Sequence, residues 1–236
     1  MTQRLRTLLS LFFYGLLTAF MLYIAREAAW YAAGTGVVIG NGKVIVLDAG
    51  HGGEDPGKVG NGDIYEKDIN LAITGYVKFY LEQNDYQVVM TREKDESLGT
   101  TEKGFDKNGD MRARLRAIED AGAVIAVSIH QNSFTDGGVQ GAQVFYHESS
   151  GEGQELAKSI QESLWERLDS EKKREIKADN SYYLLKNSSI PMVIVECGFL
   201  SNSRELELLQ QETYQRQVAW AIYMGIEKYL NAGSEN

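Results

Sequence analysis

Cysteine and proline are scarce in this sequence, which has one cysteine and two prolines among its 236 residues. The single cysteine, Cys197, excludes an internal disulfide framework. It also lies far from the N-terminal segment, which therefore offers no cysteine for lipid attachment. No linker rich in glycine and serine divides the chain. We therefore expect one domain, residues 36–236, behind an N-terminal segment of residues 1–35.

Positive charge is also in short supply. The chain has 24 Lys and Arg against 33 Asp and Glu, a net charge of −9. Because residues 1–35 hold three basic residues and one acidic residue, the remainder has a net charge of about −11. Such an acidic body repels phosphate backbones, which argues against nucleic acid as a partner. Hydrophobic residues at 43% and charged residues at 24% are typical of a globular protein.

Charge is absent from Leu8–Ala25, an 18-residue apolar run that follows Arg4 and Arg6. A positive flank before an apolar run predicts an export signal whose N-terminus stays in the cytoplasm. The run is longer than most signal-peptide cores and just long enough to span a bilayer, so a cleaved signal and a membrane anchor both remain open. A buried core helix is the alternative. We expect the domain that follows to lie outside the cytoplasm, secreted or anchored to the membrane.

Apolar strands and amphipathic helices alternate along the rest of the chain. The predicted strands are Val44–Leu47, Gln87–Arg92, Ala123–His130, Val144–His147 and Met192–Cys197. The predicted helices are Lys67–Gln83, Met111–Ala121, Glu152–Leu168, Glu205–Gln211 and Tyr214–Tyr229. This alternation predicts an α/β fold, a three-layer sandwich with a mostly parallel central sheet flanked by helices.

The remaining segments carry weaker signals. Tyr183–Leu185 is predicted as a short extra strand, and Glu93–Asp110 as a long polar loop. Within that loop Asp106–Asp110 lacks the acidic spacing and the closing glutamate of an EF-hand, so we expect a solvated turn. The charged stretch Asp169–Lys177 is expected at the surface. The same solvated or salt-bridged surface is expected for Arg112, Arg114 and Arg116.

Four residues that can bind a metal or carry a proton follow the predicted strands. His51 lies between glycines in the turn after the first strand, and Glu66 begins the helix after that turn. His130 ends the third strand and Glu196 ends the last. Ligands bind beyond the carboxyl ends of the strands in open α/β sheets, so we expect all four at one edge. Two imidazoles, one carboxylate and an open fourth position are typical of a catalytic zinc site, which leaves the second glutamate for acid–base work.

Each of these residues also has an ordinary structural explanation. A single histidine in a turn is often structural, and Glu66 could simply favour a helix N-terminus. Glu196 is harder to explain in that way, because a glutamate after four apolar strand residues is costly to bury without a partner. The third histidine, His147, ends a predicted edge strand before an exposed stretch, and we place it outside the metal site.

The motifs around these residues match a known family. The segments are DAGHGGEDPG (Asp48–Gly57), EKDINLA (Glu66–Ala72), MTREKD (Met90–Asp95), SIHQN (Ser128–Asn132) and VECGFLSN (Val195–Asn202). With these motifs the chain, from about Lys43 to Leu230, resembles the zinc-dependent N-acetylmuramoyl-L-alanine amidases of bacterial cell-wall metabolism. The leader joined directly to the domain, the Gly104–Asp110 region and the segment Gly141–Tyr146 look most like the germination-specific subgroup of endospore formers.

The resemblance implies a function and a role for each site residue. The family's zinc ligands match His51, Glu66 and His130, and its catalytic acid–base matches Glu196. The expected reaction is zinc-dependent hydrolysis of the amide between N-acetylmuramic acid and L-alanine in peptidoglycan. In the germination-specific subgroup this reaction takes part in forming muramic-δ-lactam in the spore cortex. Asn132 is a candidate for binding substrate. An accessory protein of unknown identity is possible as a partner.

Three other functions remain open from the sequence. A zinc peptidase could use the same residues to cut within the stem peptide. A thiol hydrolase could use Cys197 with His130, although strand alternation predicts that Glu196 and Cys197 face opposite sides of the sheet. A catalytically silent peptidoglycan-binding module is the third, and nothing in the four-residue set looks degraded. Sensitivity to a chelator and turnover of purified peptidoglycan would distinguish these functions.

Overall fold

The computed structural model describes residues 3–34, 42–102, 104–168 and 172–232. The chain divides into two compact units, Met1–Gly42 and Lys43–Asn236. The first unit contains helix α1, Gln3–Gly34, whose described side chains between residues 11 and 26 are exposed. Among the residues that could be searched, no helix combines the length and apolar character that a membrane crossing requires. The export segment expected at residues 1–35 therefore stays a prediction.

The second unit contains all the strands and the other helices. In chain order the strands are β1 (Val44–Ala49), β2 (Val59–Gly60), β3 (Ile64–Tyr65), β4 (Gln87–Met90), β5 (Thr100–Thr101), β6 (Gly104–Phe105), β7 (Ile125–Asn132), β8 (Gln143–Tyr146), β9 (Lys177–Ala178) and β10 (Met192–Phe199). The helices are α2 (Glu66–Glu82), α3 (Lys107–Asp120), α4 (Gly151–Arg167), α5 (Tyr183–Asn187), α6 (Ser203–Leu209) and α7 (Glu212–Ala232).

Six strands form the central sheet in the order β4-β1-β7-β10-β8-β9. Strand β1 pairs in parallel with both β4 and β7, and β7 pairs in parallel with β10. Strand β8 is antiparallel to β10. In this register Glu196 of β10 lies beside His130 of β7. The parallel strands therefore end together, and the residues that follow them share one edge.

Two hydrophobic cores lie on the two faces of the sheet. One core packs helices α2, α4 and α7 against β1, β7 and β10, with Ile73, Ile160 and Ile222 fully buried. The smaller core packs helices α3 and α5 against the other face through Ile118, Leu184 and neighbouring side chains. The predicted three-layer sandwich is confirmed.

Five predicted strands and five predicted helices are present, each with its ends shifted by a few residues. The extra strand expected at Tyr183–Leu185 is wrong: those residues lie in α5, where the backbone N–H groups of Lys186 and Ser188 bind the carbonyls of Tyr182 and Leu184 one helical turn earlier. The sixth strand is instead β9, which pairs with β8 in a stretch predicted to be surface. The polar loop Glu93–Asp110 also contains more structure than expected, since it holds the β5–β6 hairpin and the first turn of α3.

Candidate active site

His51 sits in a turn with an unusual backbone. Its φ is 63°, in the left-handed region that non-glycine residues rarely adopt, and Gly52 and Gly53 follow with φ of 137° and 59°. The side chain of Asp55, four residues on, lies 2.9 Å from Nδ1 of His51. That contact orients the ring and directs Nε2 towards Glu66, whose Oε2 lies 3.2 Å away. A carboxylate on the far ring nitrogen is the arrangement that orients metal-binding histidines.

Glu66 is the first residue of α2 and is almost fully buried, with 1% of its surface exposed. Its Oε1 lies 2.9 Å from Nδ1 of His130 and accepts the backbone N–H of Gln131 at 3.1 Å. Its Oε2 accepts the backbone N–H of Lys58 at 2.7 Å. The side chain of Asn70, one helical turn later, also donates to Oε1 at 3.2 Å. Both carboxylate oxygens are therefore held in fixed positions between the two imidazoles.

His51, Glu66 and His130 form a group that could hold a metal ion. Each offers one ligand atom, and these atoms all lie within 4.8 Å of one another. Two glycines make room for the group. A Cβ at Gly50 would lie 2.2 Å from Cε1 of His130, and one at Gly57 would lie 2.5 Å from Oε2 of Glu66. Two nitrogens and one carboxylate oxygen, packed this closely, fit a zinc ion with an open position.

Hydrogen bonds and opposite charges shift the pKa values of His51, Asp55 and Glu66. Burial disfavours the charged form of His51, but hydrogen bonds with Asp55 and Glu66 outweigh it and raise the pKa of His51 to about 9. The hydrogen bond to His51 lowers the pKa of Asp55 to about 2. For Glu66, burial raises the pKa, whereas hydrogen bonds from His130 and His51 lower it further, to well below its usual range. Glu66 is therefore an ionised carboxylate, the form that binds a cation.

Glu196 lies on the same edge in a different environment. It is 7% exposed, its Oε1 is 3.4 Å from the hydroxyl of Tyr182, and its Oε2 is buried with no hydrogen-bond partner among the described residues. Burial raises the pKa of Glu196 to about 7, and the nearby charge of His130 opposes that rise. The residue lines a cleft of about 400 Å³ together with His51, Glu66 and His130. A carboxyl group with a pKa near neutrality can both accept and donate a proton.

Of the other candidate residues, Asn132 lines this cleft and His147 and Cys197 do not. Asn132 lines it, with Oδ1 accepting the backbone N–H of Ser133 at 2.8 Å. His147 is outside the group, and its Nδ1 lies 2.8 Å from Oγ of Ser149. Cys197 faces the opposite side of the sheet from Glu196 and is 1% exposed in the larger core, where burial raises the pKa of its thiol. A buried thiol that stays protonated cannot act as a nucleophile in the cleft.

A buried ion-pair network beneath the site was missed from the sequence. Arg114, predicted at the surface, is 1% exposed. Its Nη1 is 2.7 Å from Asp48 and its Nε is 2.6 Å from Asp110. Asp48 also accepts hydrogen bonds from the hydroxyls of Thr91 and Ser128. Burial raises the pKa of Asp48, but the charge of Arg114 and the hydrogen bonds from Ser128 and Thr91 together outweigh burial and hold that pKa below the usual range.

Two buried arginines hold the turn that carries His51. Arg114 donates to the carbonyl oxygens of Ala49 at 2.8 Å and His51 at 2.6 Å. Arg92 donates to the carbonyl oxygens of Ala49 at 2.9 Å and Gly50 at 3.0 Å. All three carbonyls of the turn are thus bound by guanidinium groups. The signal in the sequence was the helical spacing of Asp110, Arg114 and Ile118, which puts all three on the inward face of α3.

The fold and the site define a class of enzyme before any comparison. A three-layer α/β sandwich that collects two histidines and two glutamates in a cleft has the architecture of a hydrolase with a donor set for a metal ion. The Amidase_3 family model, described as N-acetylmuramoyl-L-alanine amidase, matches residues 45–228. The chain belongs to this family.

Relatives and solved structures agree with the match. The germination-specific N-acetylmuramoyl-L-alanine amidase of Bacillus subtilis is 39% identical over 193 residues, 80% of this chain and 81% of that protein. The CwlD amidase from Clostridioides difficile, solved in complex with the GerS lipoprotein, is 45% identical with a TM-score of 0.78, covering 80% of this chain and 99% of that one. The amidase AmiC2 of Nostoc punctiforme is 34% identical with a TM-score of 0.71, covering 81% and 99%.

Family membership decides the reaction. The protein is a peptidoglycan amidase that hydrolyses the bond between N-acetylmuramic acid and L-alanine. The silent binding module and the peptidase are thereby set aside, and the buried position of Cys197 removes the structural basis for a thiol hydrolase.

Proposed function

We propose that this amidase is zinc-dependent, with His51, Glu66 and His130 as the metal ligands and Glu196 as the acid–base residue. The observation that carries the proposal is the contrast between the two glutamates. Glu66 is held ionised between two imidazoles, whereas Glu196 is held at the edge of the same cleft with a pKa of about 7 and one oxygen unpartnered.

The chain's own residues supply the proton transfers and the binding geometry. Zinc, when bound, supplies a Lewis acid that polarises the scissile carbonyl and lowers the pKa of water towards ~7. Glu196 accepts the proton of the attacking water at its unpartnered Oε2 and passes it to the departing amine of L-alanine. Asp55 keeps the His51 ring oriented, and the backbone N–H groups of Lys58 and Gln131 keep the Glu66 carboxylate in place.

Other residues of the cleft suit a peptidoglycan strand. Asn132 can donate its side-chain amide to the substrate while its Oδ1 remains bound to Ser133. Two exposed lysines, Lys58 and Lys107, line the cleft beside its buried carboxylates. Stem peptides carry carboxylates, which these two lysines can attract.

The relatives support a role in the spore cortex and an accessory partner. Removal of the peptide leaves a free lactyl carboxyl on the muramic acid, which is the group needed to close a muramic-δ-lactam. The germination-specific relative in Bacillus subtilis and the CwlD structure in complex with a lipoprotein both support this assignment. The substrate lies outside the cytoplasm, which agrees with an export signal or membrane anchor at residues 1–35. The catalytic domain then consists of residues 36–236.

The decisive experiment is mass spectrometry of the products from purified cortex or vegetative peptidoglycan. An amidase releases intact stem peptides that begin with L-alanine and leaves glycan strands that keep the lactyl group. A chelator should stop the reaction and added zinc should restore it. Peptide fragments that lack L-alanine, with L-alanine still on the glycan, would show cleavage within the stem peptide and would refute the proposal.

A further inference from the structure

Glu196 has one protein partner for its side chain among the described residues, the hydroxyl of Tyr182. The hydroxyl donates to Oε1 at 3.4 Å. The other oxygen, Oε2, is buried and has no partner. The two carboxylate oxygens are therefore unequal: one is held by the protein and the other is left for another molecule.

The position of Tyr182 is fixed by packing on the smaller core. Its ring meets the ring of Phe145 edge to face, with centroids 5.6 Å apart. Its carbonyl accepts the backbone N–H of Lys186 at 3.0 Å, which ties the residue to the start of α5. Phe145 lies on β8, beside the strand that carries Glu196, so the hydroxyl reaches the carboxylate from a rigid support.

The hydroxyl can act only as a donor towards an ionised Glu196. Burial and the nearby charge of Glu196 raise the pKa of Tyr182, which keeps its proton on the oxygen. A donor on one carboxylate oxygen limits rotation of the group and favours the charged form. The surroundings of Glu196 are otherwise apolar on the core side, since Ile194 and Val195 precede it in the buried strand.

We propose that Tyr182 is a positioning residue for the amidase reaction, which holds Oε1 of Glu196 so that Oε2 faces the attacking water. The inference rests on the proposed role of Glu196. In this proposal the two carboxylate oxygens of Glu196 have different roles. Oε1 receives the tyrosine proton in a hydrogen bond that persists through the reaction, and Oε2 takes the proton of water and releases it to the amine.

The test is Tyr182→Phe, which removes one oxygen and keeps the ring on Phe145. We expect kcat on purified peptidoglycan fragments to fall about 10- to 30-fold, the lower part of the loss expected for a hydrogen bond to a charged group, because the two oxygens are 3.4 Å apart. KM and zinc content should stay within about twofold of the parent, because the variant touches neither the metal ligands nor the core packing. The matched control is Tyr229→Phe, since Tyr229 is a half-buried tyrosine on α7 and lies outside the residues that line the cleft.

A double-mutant cycle separates positioning from a general structural effect. In the Glu196→Gln background, Tyr182→Phe should change the residual rate by less than about twofold, because there is no carboxylate left to orient. The proposal is overturned if kcat of Tyr182→Phe matches the parent, if Tyr229→Phe loses as much, or if the two changes multiply in the double variant. If the parent itself does not release intact stem peptides, the proposed function fails instead, and the two failures are thereby distinguished.

Discussion

Two glutamates at one sheet edge show how surroundings give the same side chain different chemistry. Glu66 accepts two backbone N–H groups and faces two imidazoles, so its pKa falls well below the usual range. Glu196 has a single tyrosine partner and an apolar strand behind it, so burial raises its pKa to about 7. Pairs of titratable groups whose environments push their pKa values apart divide into a ligand and a proton carrier.

Substituting each glutamate by glutamine should separate these roles. Glu196→Gln keeps the shape and loses the proton acceptor, so we expect the rate to fall by roughly 10²–10⁴ while zinc content stays near that of the parent. Glu66→Gln should lower zinc content, and added zinc should restore part of the activity. Elemental analysis and product release on the same samples check both. If excess zinc rescues Glu196→Gln and not Glu66→Gln, the two roles are exchanged.

The histidines can be compared with an internal control. His51→Ala and His130→Ala each remove one nitrogen ligand, so each should lower zinc content from about one ion per chain to a small fraction of that. His147→Ala should retain full zinc content, because His147 lies outside the group. Zinc is measured by elemental analysis after dialysis against metal-free buffer. Full occupancy in both ligand variants would remove this metal site from consideration.

The pKa of Glu196 makes a prediction about pH. A general base must be ionised, and the ionised fraction of Glu196 falls as the pH drops through its pKa of about 7. A bound cation favours the carboxylate and lowers that pKa, so the acid limb of kcat/KM should lie at or below pH 7. The measurement is a pH profile with zinc content determined at each pH, since protonated ligands also release metal. A kcat/KM that increases steadily from pH 7 to pH 5 would contradict Glu196 as the base.

At the scale of elements, the strands and the sheet edge that carries the site could be predicted from the sequence. The buried ion pairs of Arg114 could not. Buried strands such as β1 and β10 are recognisable in the sequence as apolar runs. A polar residue at the end of each run marks the sheet edge where a ligand binds. The position of Arg114 depends on tertiary pairing with Asp48, 66 residues away, which no local pattern contains. Its helix is rich in charge, so the inward stripe of Asp110, Arg114 and Ile118 was hidden by the arginines on either side.

The same limit explains the misassigned segment around Tyr182. A run of five residues, Tyr183–Asn187, is too short for its period to be recognised as helical. The β5–β6 hairpin has two residues in each strand and is equally invisible to periodicity. Such short pieces are fixed by what they pack against, and here Tyr183 and Leu184 of α5 line the cleft.

Arg114 and Arg112 on one helix offer a matched test of the buried network. Arg114→Met leaves Asp48 and Asp110 buried without their cation, and we expect it to lower the free energy of unfolding by about 3–5 kcal/mol. Arg112→Met removes an exposed ion pair in which Nη2 of Arg112 lies 3.4 Å from Asp106. This variant should change the free energy of unfolding by less than about 1 kcal/mol. Urea unfolding of the zinc-free proteins measures both.

The network should also affect metal binding, since Arg114 holds the carbonyl of the ligand His51. Competition with a chelator should show weaker zinc binding in Arg114→Lys, which keeps the charge but cannot bridge two aspartates and two carbonyls. Equal zinc affinity and equal stability for all three variants would show that the buried arginine does not support the site.

For the whole molecule, family membership describes a protein that works on the cell-wall polymer peptidoglycan. The domain is strongly acidic, yet the exposed charges at its cleft include Lys58 and Lys107. The fold class followed from the alternation of strands and helices, and the reaction followed from the motifs of a family whose model matches residues 45–228, most of the second unit. Location is predicted from a different part of the chain, the apolar run Leu8–Ala25.

Export is the prediction that belongs to this scale. The apolar run Leu8–Ala25 behind Arg4 and Arg6 should carry the domain out of the cytoplasm, so a reporter fused after Asn236 that folds only outside should be active. Placing two arginines in the run, Phe13→Arg with Leu17→Arg, should abolish that signal, because each costs about 2.5–3.5 kcal/mol at the centre of a membrane helix. Phe79→Arg is the control, an exposed phenylalanine in the catalytic unit whose replacement leaves the run untouched. A parent fusion that is made but inactive would refute export, and equal signals from parent and double-arginine variant would show that the apolar run does not direct it.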